Sequence, residues 1–175
     1  MTSKLKLLGS GSIAAALLIA AAPAYAAGTA SGTSIVNNVT VDFQVSGVSQ
    51  TQRTASNTFL VDRVVNLTVA EVGNVTTNVV PGQTAAVTAF TLTNTSNATL
   101  DFALTAAQLA GGTAAHGGTD VFDVTALGIF RDVNTNGTYD AGTDTAVTFI
   151  DELAADAAVT LFLVGNVPIT ATNGQ

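Results

Sequence analysis

The chain contains no cysteine and no tryptophan, and only 10% of its residues are charged. Without cysteine it has neither disulfides nor thiolate metal ligands, and no thiol to which a lipid could be attached. Apolar residues make up 47% of the sequence, a balance that argues against disorder. We therefore expect a folded chain that is stabilised by packing. A bound metal is the other possible source of stability.

Positive charge is also scarce. The chain has five basic and 12 acidic residues, which gives a net charge of −7. Lysine occurs only as Lys4 and Lys6, and the arginines are Arg53, Arg63 and Arg131. Three scattered arginines form no basic stripe, which argues against nucleic acid as a partner. A chain without lysine beyond residue 6 also cannot form a Schiff base or a lysine–asparagine isopeptide bond.

The first 26 residues have the pattern of a secretory signal peptide. A basic head precedes the apolar stretch Leu7–Ala22, and small residues at Ala24 and Ala26 match an export cleavage site. The alternative, a retained membrane anchor, needs about 20 apolar residues. We expect cleavage after Ala26, export to the periplasm, cell surface or medium, and no transmembrane segment in the mature chain. Loss of the two lysines would change the net charge from −7 to −9.

The mature chain is the size of one domain, and its patterns are those of strands. From Val39 to Val45 apolar and polar residues alternate, which predicts a half-buried strand. Residues 58–72, "TFLVDRVVNLTVAEV", predict a long strand with a bulge or a change of partner. We divide the mature chain into an N-terminal extended segment, residues 27–56, and a sandwich domain, residues 57–175.

The rest of the chain also reads as β-structure. Residues 90–104 predict a β-hairpin around the polar turn Asn94–Asn97, and the glycine-rich residues 106–119 predict a flexible excursion. Residues 151–156 predict a turn, and Val159–Val164 predict a strand buried on both faces. About seven strands at hairpin spacing favour an all-β fold, an immunoglobulin-like antiparallel β-sandwich.

Four segments in this order resemble a known family. They are "FTLTNTSNATLDFAL", "DVNTNGTYDAGTDTAV", "IDELAADAAVTLFLV" and "NVP". Together they resemble the bacterial cell-surface repeat family called domain of unknown function number eleven, over roughly residues 65–168. The resemblance implies an Ig-like sandwich but no activity, because the motifs are turns and strands.

The chain departs from that family in two places. The turn "LAADAAV" replaces a Pro-Gly turn, and "ITATNGQ" stands where members of the family usually continue with a further strand. Either the sequence is truncated there, or the expected sandwich lacks its last strand and has an unpaired edge. A neighbouring subunit could donate the missing strand, and the extended segment 28–45 has the character of such a donor.

The stretch 132–144, "DVNTNGTYDAGTD", places oxygen-bearing side chains at regular intervals around Gly137. This is the spacing of a calcium loop. The predicted ligands are Asp132, Asn134, Asn136, Thr138 through its carbonyl, Asp140 and Asp144. An EF-hand is excluded because its twelfth position is Thr143 here and because both flanks predict strands. The remaining hypothesis is a calcium-binding hairpin loop similar to those in calcium-binding modules of staphylococcal serine-aspartate-repeat adhesins. Its affinity for calcium would be weak, with a dissociation constant of about 10⁻⁴ to 10⁻³ M. The alternative is a plain hairpin turn at Asn136-Gly137.

Other candidates for chemistry are weaker. His116 is the only histidine and lies among glycines, which indicates an exposed loop residue. Asp151, Glu152 and Asp156 could form an acidic pair for glycoside chemistry, but a solvated turn is favoured because no aromatic sugar-binding surface accompanies them. The chain also lacks the G-x-S-x-G motif of serine hydrolases. We predict no catalytic residues and no enzyme.

These observations favour a secreted or surface-exposed, non-enzymatic structural or adhesive module that is stabilised by one calcium ion. The alternative is a self-assembling subunit that is closed by strand donation from a neighbour. The expected partner is accordingly a component of the cell envelope or a second copy of the chain.

Overall fold

A computed structural model describes residues 28–172, and the predicted signal peptide, residues 1–26, lies outside them. The described residues form strands and no helix, so the predicted all-β class is confirmed. Within this range no helix is long and apolar enough to cross a membrane. The strands are β1 Ser34–Val41, β2 Gln44–Val45, β3 Val48–Ser49, β4 Arg53–Leu60, β5 Leu67–Glu71, β6 Ala86–Asn94, β7 Leu100–Ala103, β8 Gly112–Thr113, β9 Thr119–Asp120, β10 Thr125–Arg131, β11 Thr145–Ala146, β12 Phe149–Leu153 and β13 Ala158–Asn166.

Two antiparallel sheets form the body of the molecule. The main sheet has the strand order β11-β10-β13-β6-β5, and the second sheet consists of β12 and β7. The chain passes from one sheet to the other between β11 and β12. The amide of Val147 donates to the carbonyl of Ile129 at 2.9 Å, and the amide of Leu104 donates to the carbonyl of Thr148 at 2.8 Å. This crossing joins the two sheets at the β11 edge of the main sheet.

The core lies between the sheets. Side chains from β6 and β13 of the main sheet meet side chains from β7 and β12, and all are buried. The cluster consists of Leu92, Phe102, Ile150, Val159 and Leu161. Burial of each such side chain stabilises the fold by about 1.5–3 kcal/mol. Because β13 pairs on both sides and also buries Phe162 and Val164, the prediction of a strand buried on both faces is confirmed.

Residues 34–60 form a hairpin that precedes the sandwich strands in the chain. We call it the N-terminal hairpin. Strands β1 and β4 pair from Ser34 opposite Leu60 to Val41 opposite Arg53, and β2 and β3 continue the hairpin toward its tip. The predicted strand Val39–Val45 covers the end of β1 and all of β2, and Val39 is 60% exposed, so the alternating pattern correctly predicts strand structure there but neither a single strand nor its half-burial. The domain boundary predicted between residues 56 and 57 falls inside β4.

The predicted long strand over residues 58–72 is two strands with different partners. β4 pairs with β1, and β5 pairs with β6 in the main sheet, so the predicted change of partner is confirmed. Asn97 holds the chain between them. Its Nδ2 donates to the carbonyl of Asp62 at 2.9 Å, and its Oδ1 accepts from the amide of Val64 at 2.9 Å. The base of the N-terminal hairpin is thereby attached to the turn after β6.

The predicted hairpin around residues 94–97 is wrong, because β6 and β7 belong to different sheets. Asn94 is fully buried at 0% exposure and accounts for the difference. Its Nδ2 donates to the carbonyls of Leu153 at 2.8 Å, Ala98 at 2.9 Å and Ala154 at 3.1 Å. These bonds turn the chain from the main sheet into the second sheet, where β7 pairs with β12 instead of β6.

Candidate metal site

The candidate loop, residues 132–144, connects β10 to β11. These strands pair with each other, with Arg131 opposite Thr145 and Phe130 opposite Ala146. The predicted strands on both flanks are confirmed, and the loop is the end of a β-hairpin, as its departure from the EF-hand pattern requires.

Asp132 and Asp144, at the two ends of the loop, are buried, with 4% and 6% exposure. Asp132 Oδ2 accepts a hydrogen bond from the amide of Gly137 at 2.8 Å, and Oδ1 accepts one from the amide of Asn136 at 3.3 Å. Asp144 accepts from the amides of Asp140 at 2.7 Å and Val133 at 3.1 Å. Bonds to a charged acceptor are stronger than neutral ones. The two carboxylates therefore close the loop from both ends, because Asp144 at its end binds Val133 at its beginning.

Asp140 lies between the two asparagines of the predicted ligand set. Its Oδ2 accepts from Asn136 Nδ2 at 2.6 Å and from Asn134 Nδ2 at 2.9 Å. Donation by the Asn134 amide, and then by the Asn136 amide, holds the pKa of Asp140 below its ordinary value of 3.8. Asn136 Oδ1 in turn accepts from the amide of Thr138 at 2.8 Å. The structure therefore brings Asn134, Asn136 and Asp140 together at one carboxylate oxygen.

The donor set fits calcium in its chemistry. Calcium takes six to eight oxygen ligands, and carboxylates, amide oxygens and a carbonyl are its usual ones. Asn134 and Asn136 direct their nitrogens at Asp140, while their oxygens accept from the backbone amides of Asn136 at 3.3 Å and Thr138 at 2.8 Å, so calcium would have to replace some of these hydrogen bonds. However, no group of three or more carboxylate or imidazole side chains within residues 28–172 is gathered as a metal site. The same oxygens close the loop through hydrogen bonds, as the alternative of a plain turn requires.

Tyr139, in the centre of the loop, packs onto the main sheet. Its ring lies 5.1 Å from Phe130 and 6.0 Å from Phe162 between centroids, edge to face in both pairs. Phe162 is 1% exposed, so the loop covers part of the sheet surface that faces away from the second sheet. This packing of Tyr139 was not predicted from the sequence, although a single aromatic residue in an otherwise polar loop could have indicated it.

The remaining candidates lie apart from the loop. His116 Nε2 is 2.6 Å from Glu71 Oε2, a hydrogen bond between the glycine-rich excursion and the end of β5 that is not evident from the sequence. Asp151 and Glu152 are exposed and belong to β12, so the turn predicted for residues 151–156 is wrong over its first part. Asp156 is half-buried, and its Oδ2 has no hydrogen-bond partner among the described residues.

A cavity of about 320 Å³ lies between the core-facing side of the main sheet and the excursion that follows β7. Its walls include Phe90, Leu163 and Leu109, and the carboxylates at its margin are Asp120 and Asp123. Asp120 Oδ2 already accepts a hydrogen bond from the amide of Gly111 at 2.9 Å. The cavity is a space beneath a loop, and its lining does not form a cluster of catalytic side chains.

No protein-family model, curated protein or solved structure matches this chain. The resemblance to the Ig-like repeat family consequently stays a prediction.

Proposed function

We propose that this protein is a non-enzymatic structural or adhesive module, secreted or exposed at the cell surface, which works through contacts of its surface. The observation that supports the proposal most is the apolar exposure of the N-terminal hairpin. Val39 is 60% exposed, Phe59 is 52% exposed and Val41 is 50% exposed. Several large apolar side chains exposed on one hairpin often mark an interaction site.

Export and contact can be tested together by expressing the full chain and fractionating the cells. We expect the protein in the periplasm, on the surface or in the medium, and deletion of residues 1–26 should retain it in the cytoplasm. Replacing Val39 and Val41 by serine should leave export and melting temperature unchanged but abolish retention on the envelope or self-association. A chain that remains cytoplasmic, or one that behaves identically after the serine substitutions, would contradict the proposal.

The second part of the proposal is one calcium ion in the loop of residues 132–144. Three carboxylates and two amide side chains within 13 residues support it, and Asn134 and Asn136 already converge on Asp140. The ion would be held by Asp132, Asn134, Asn136, Thr138, Asp140 and Asp144. It would neutralise charge and stiffen the loop that carries Tyr139, and it would take part in no reaction.

A thermal melt in calcium and in EGTA tests the ion. At a calcium concentration about 100 times the dissociation constant, the native state gains about 2.7 kcal/mol, because the ligand binds only the folded loop. This corresponds to a rise in Tm of about 5–10 °C for a chain of this size. The rise should vanish in Asp132→Ala and in the milder Asp140→Asn, and magnesium should not reproduce it. Equal melting temperatures with and without calcium would exclude the calcium site and favour the alternative, a hairpin turn that binds no metal.

The alternative function, a self-assembling subunit closed by strand donation, is supported by an uncovered part of the core face. Val69 is 59% exposed, although its partner in the neighbouring strand, Leu92, is 1% exposed. A sandwich with part of its inner face in solvent offers a site where further strands could bind.

A further inference from the structure

The inner face of the main sheet extends beyond the second sheet. Residues directly opposite each other in an antiparallel pair project to the same side. Val69 is opposite the buried core residue Leu92, and Leu67 is opposite the buried Asn94, so both β5 side chains point toward the core side. Leu67 is nevertheless 43% exposed and Val69 is 59% exposed. The second sheet therefore covers the middle of the main sheet and leaves its β5 side open.

The open area adjoins an unpaired strand edge. β12 follows β11 across the corner at the far edge of the main sheet, which places β7, the partner of β12, on the side toward β5. Among the described strands β7 pairs with β12 alone. Strands added at the free edge of β7 would continue the second sheet over Leu67 and Val69, and the backbone groups of β7 would provide the hydrogen bonds.

The N-terminal hairpin has an apolar face of matching character. Ile35 is opposite Phe59 and Val39 is opposite Ala55, so these four side chains share one face with Val41, with the Asn37–Asn57 pair and with Arg53, which is opposite Val41. On the other face toward the tip, Asn38 is opposite Ser56 and Thr40 is opposite Thr54. A hairpin with one mainly apolar and one mainly polar face is suited to be the outer layer of a sandwich, yet both of its strands are exposed along nearly their whole length.

We propose that the N-terminal hairpin of one copy docks its apolar face over Leu67 and Val69 of a second copy and extends the second sheet of that copy at the edge of β7. This inference rests on the proposed function, in which the hairpin is a contact surface, and it names the partner as the chain itself. The donor is the whole hairpin rather than the single segment 28–45, because that segment is already paired with β4.

The exposed apolar side chains lie on both faces of the hairpin and at its tip. They are 41–66% exposed and together present an area on the order of 600–800 Å². Val39, Val41 and Phe59, on the docking face, present about 300 Å² of it, so backbone pairing at the edge of β7 has to supply the rest of the contact.

The distribution of charge favours hairpin-to-sandwich contact. The hairpin carries Asp42 and Arg53, which cancel, whereas all the other acidic residues lie in the sandwich. Two sandwiches repel each other, while a neutral hairpin approaches an acidic sandwich without that cost. Such a contact joins two different surfaces, so each copy can bind one neighbour at each end and the copies form a head-to-tail chain or ring.

The test uses the mature chain and light scattering after size-exclusion chromatography. The donor variant Val39→Asp and the acceptor variant Val69→Asp change exposed residues, and the matched control Thr40→Asp places the same charge on the opposite face of the hairpin. We expect the unmodified chain and the control to form oligomers. Each aspartate should weaken association at least roughly tenfold, since a carboxylate would be buried without a partner. Far-UV circular dichroism and melting curves confirm that all variants fold.

Mixing the two variants tests the geometry. The donor variant keeps an intact acceptor face, and the acceptor variant keeps an intact hairpin, so the mixture should form a one-to-one dimer and nothing larger. Oligomers of the acceptor variant alone would show contact between hairpins and overturn the inference, while the proposed contact function would stand. An unmodified chain that stays strictly monomeric at high concentration would also overturn the inference. The proposed contact function is tested separately, by retention of the protein on the cell envelope.

Discussion

Replacing Asn94 by alanine should destabilise the fold more than any other single change in a turn. The side chain is fully buried, its Nδ2 donates to carbonyls at 2.8, 2.9 and 3.1 Å, and its Oδ1 accepts from the amide of Ser96 at 3.0 Å. Each net hydrogen bond contributes about 1 kcal/mol, and a buried carbonyl left without a donor costs about 1–3 kcal/mol. Asn94→Ala should therefore lower the free energy of unfolding by about 4 kcal/mol.

Urea unfolding followed by circular dichroism measures this loss. With an m value of about 2 kcal/mol/M, the midpoint should fall by about 2 M while m stays the same. The control is Thr95→Ala at the exposed neighbouring position, which should change stability by less than about 0.5 kcal/mol. If Asn94→Ala costs less than about 1 kcal/mol, the asparagine does not hold the two sheets together, and the account of why β6 and β7 separate is wrong.

Two further predictions concern the loop of residues 132–144. Tyr139→Ala should cost about 2 kcal/mol in urea unfolding because it removes both edge-to-face contacts, while Tyr139→Phe should cost less than half of that; equal losses would show that the ring does not anchor the loop. Because the pKa of Asp140 is lowered in the folded state, its contribution is present above the ordinary value of 3.8 and is lost as the pH falls through the lowered pKa. Tyr139 fluorescence of the chain without residues 1–26 should report that acid transition, and Asp140→Asn should remove it; an unchanged transition in the variant would assign it to another group.

The sequence predicted which residues form strands better than it predicted which strands are covered. The alternation in residues 39–45 and the apolar run in residues 159–164 both indicate strands, but β13 lies in the centre of the main sheet and β1 is exposed. Alternation is a local property, whereas burial depends on which distant segments cover a face. The same limit explains the wrong hairpin at Asn94, whose partners Leu153, at the end of β12, and Ala154, directly after it, lie about 60 residues further along the chain.

The loop was located from spacing alone, and its strand flanks followed from the apolar patterns on either side. The direction of its side chains could not be predicted in this way. Asp132 and Asp144 turn inward to backbone amides of the loop itself. Tyr139 turns to the sheet, a contact that depends on where β10 and β13 place Phe130 and Phe162. Oxygen spacing identifies a set of possible ligands, but the packing beneath the loop decides how they are oriented.

The charge of the loop connects its acid sensitivity with the proposed ion. Asp132, Asp140 and Asp144 accept hydrogen bonds from backbone and side-chain amides, all of them neutral, in the described contacts. A divalent ion would neutralise part of their charge in the loop. Protonation of Asp140 removes its charge and weakens its acceptance of the two asparagine amides, which hold its pKa down. Calcium should therefore shift the acid transition seen by Tyr139 to lower pH, because a bound cation favours the ionised form of Asp140.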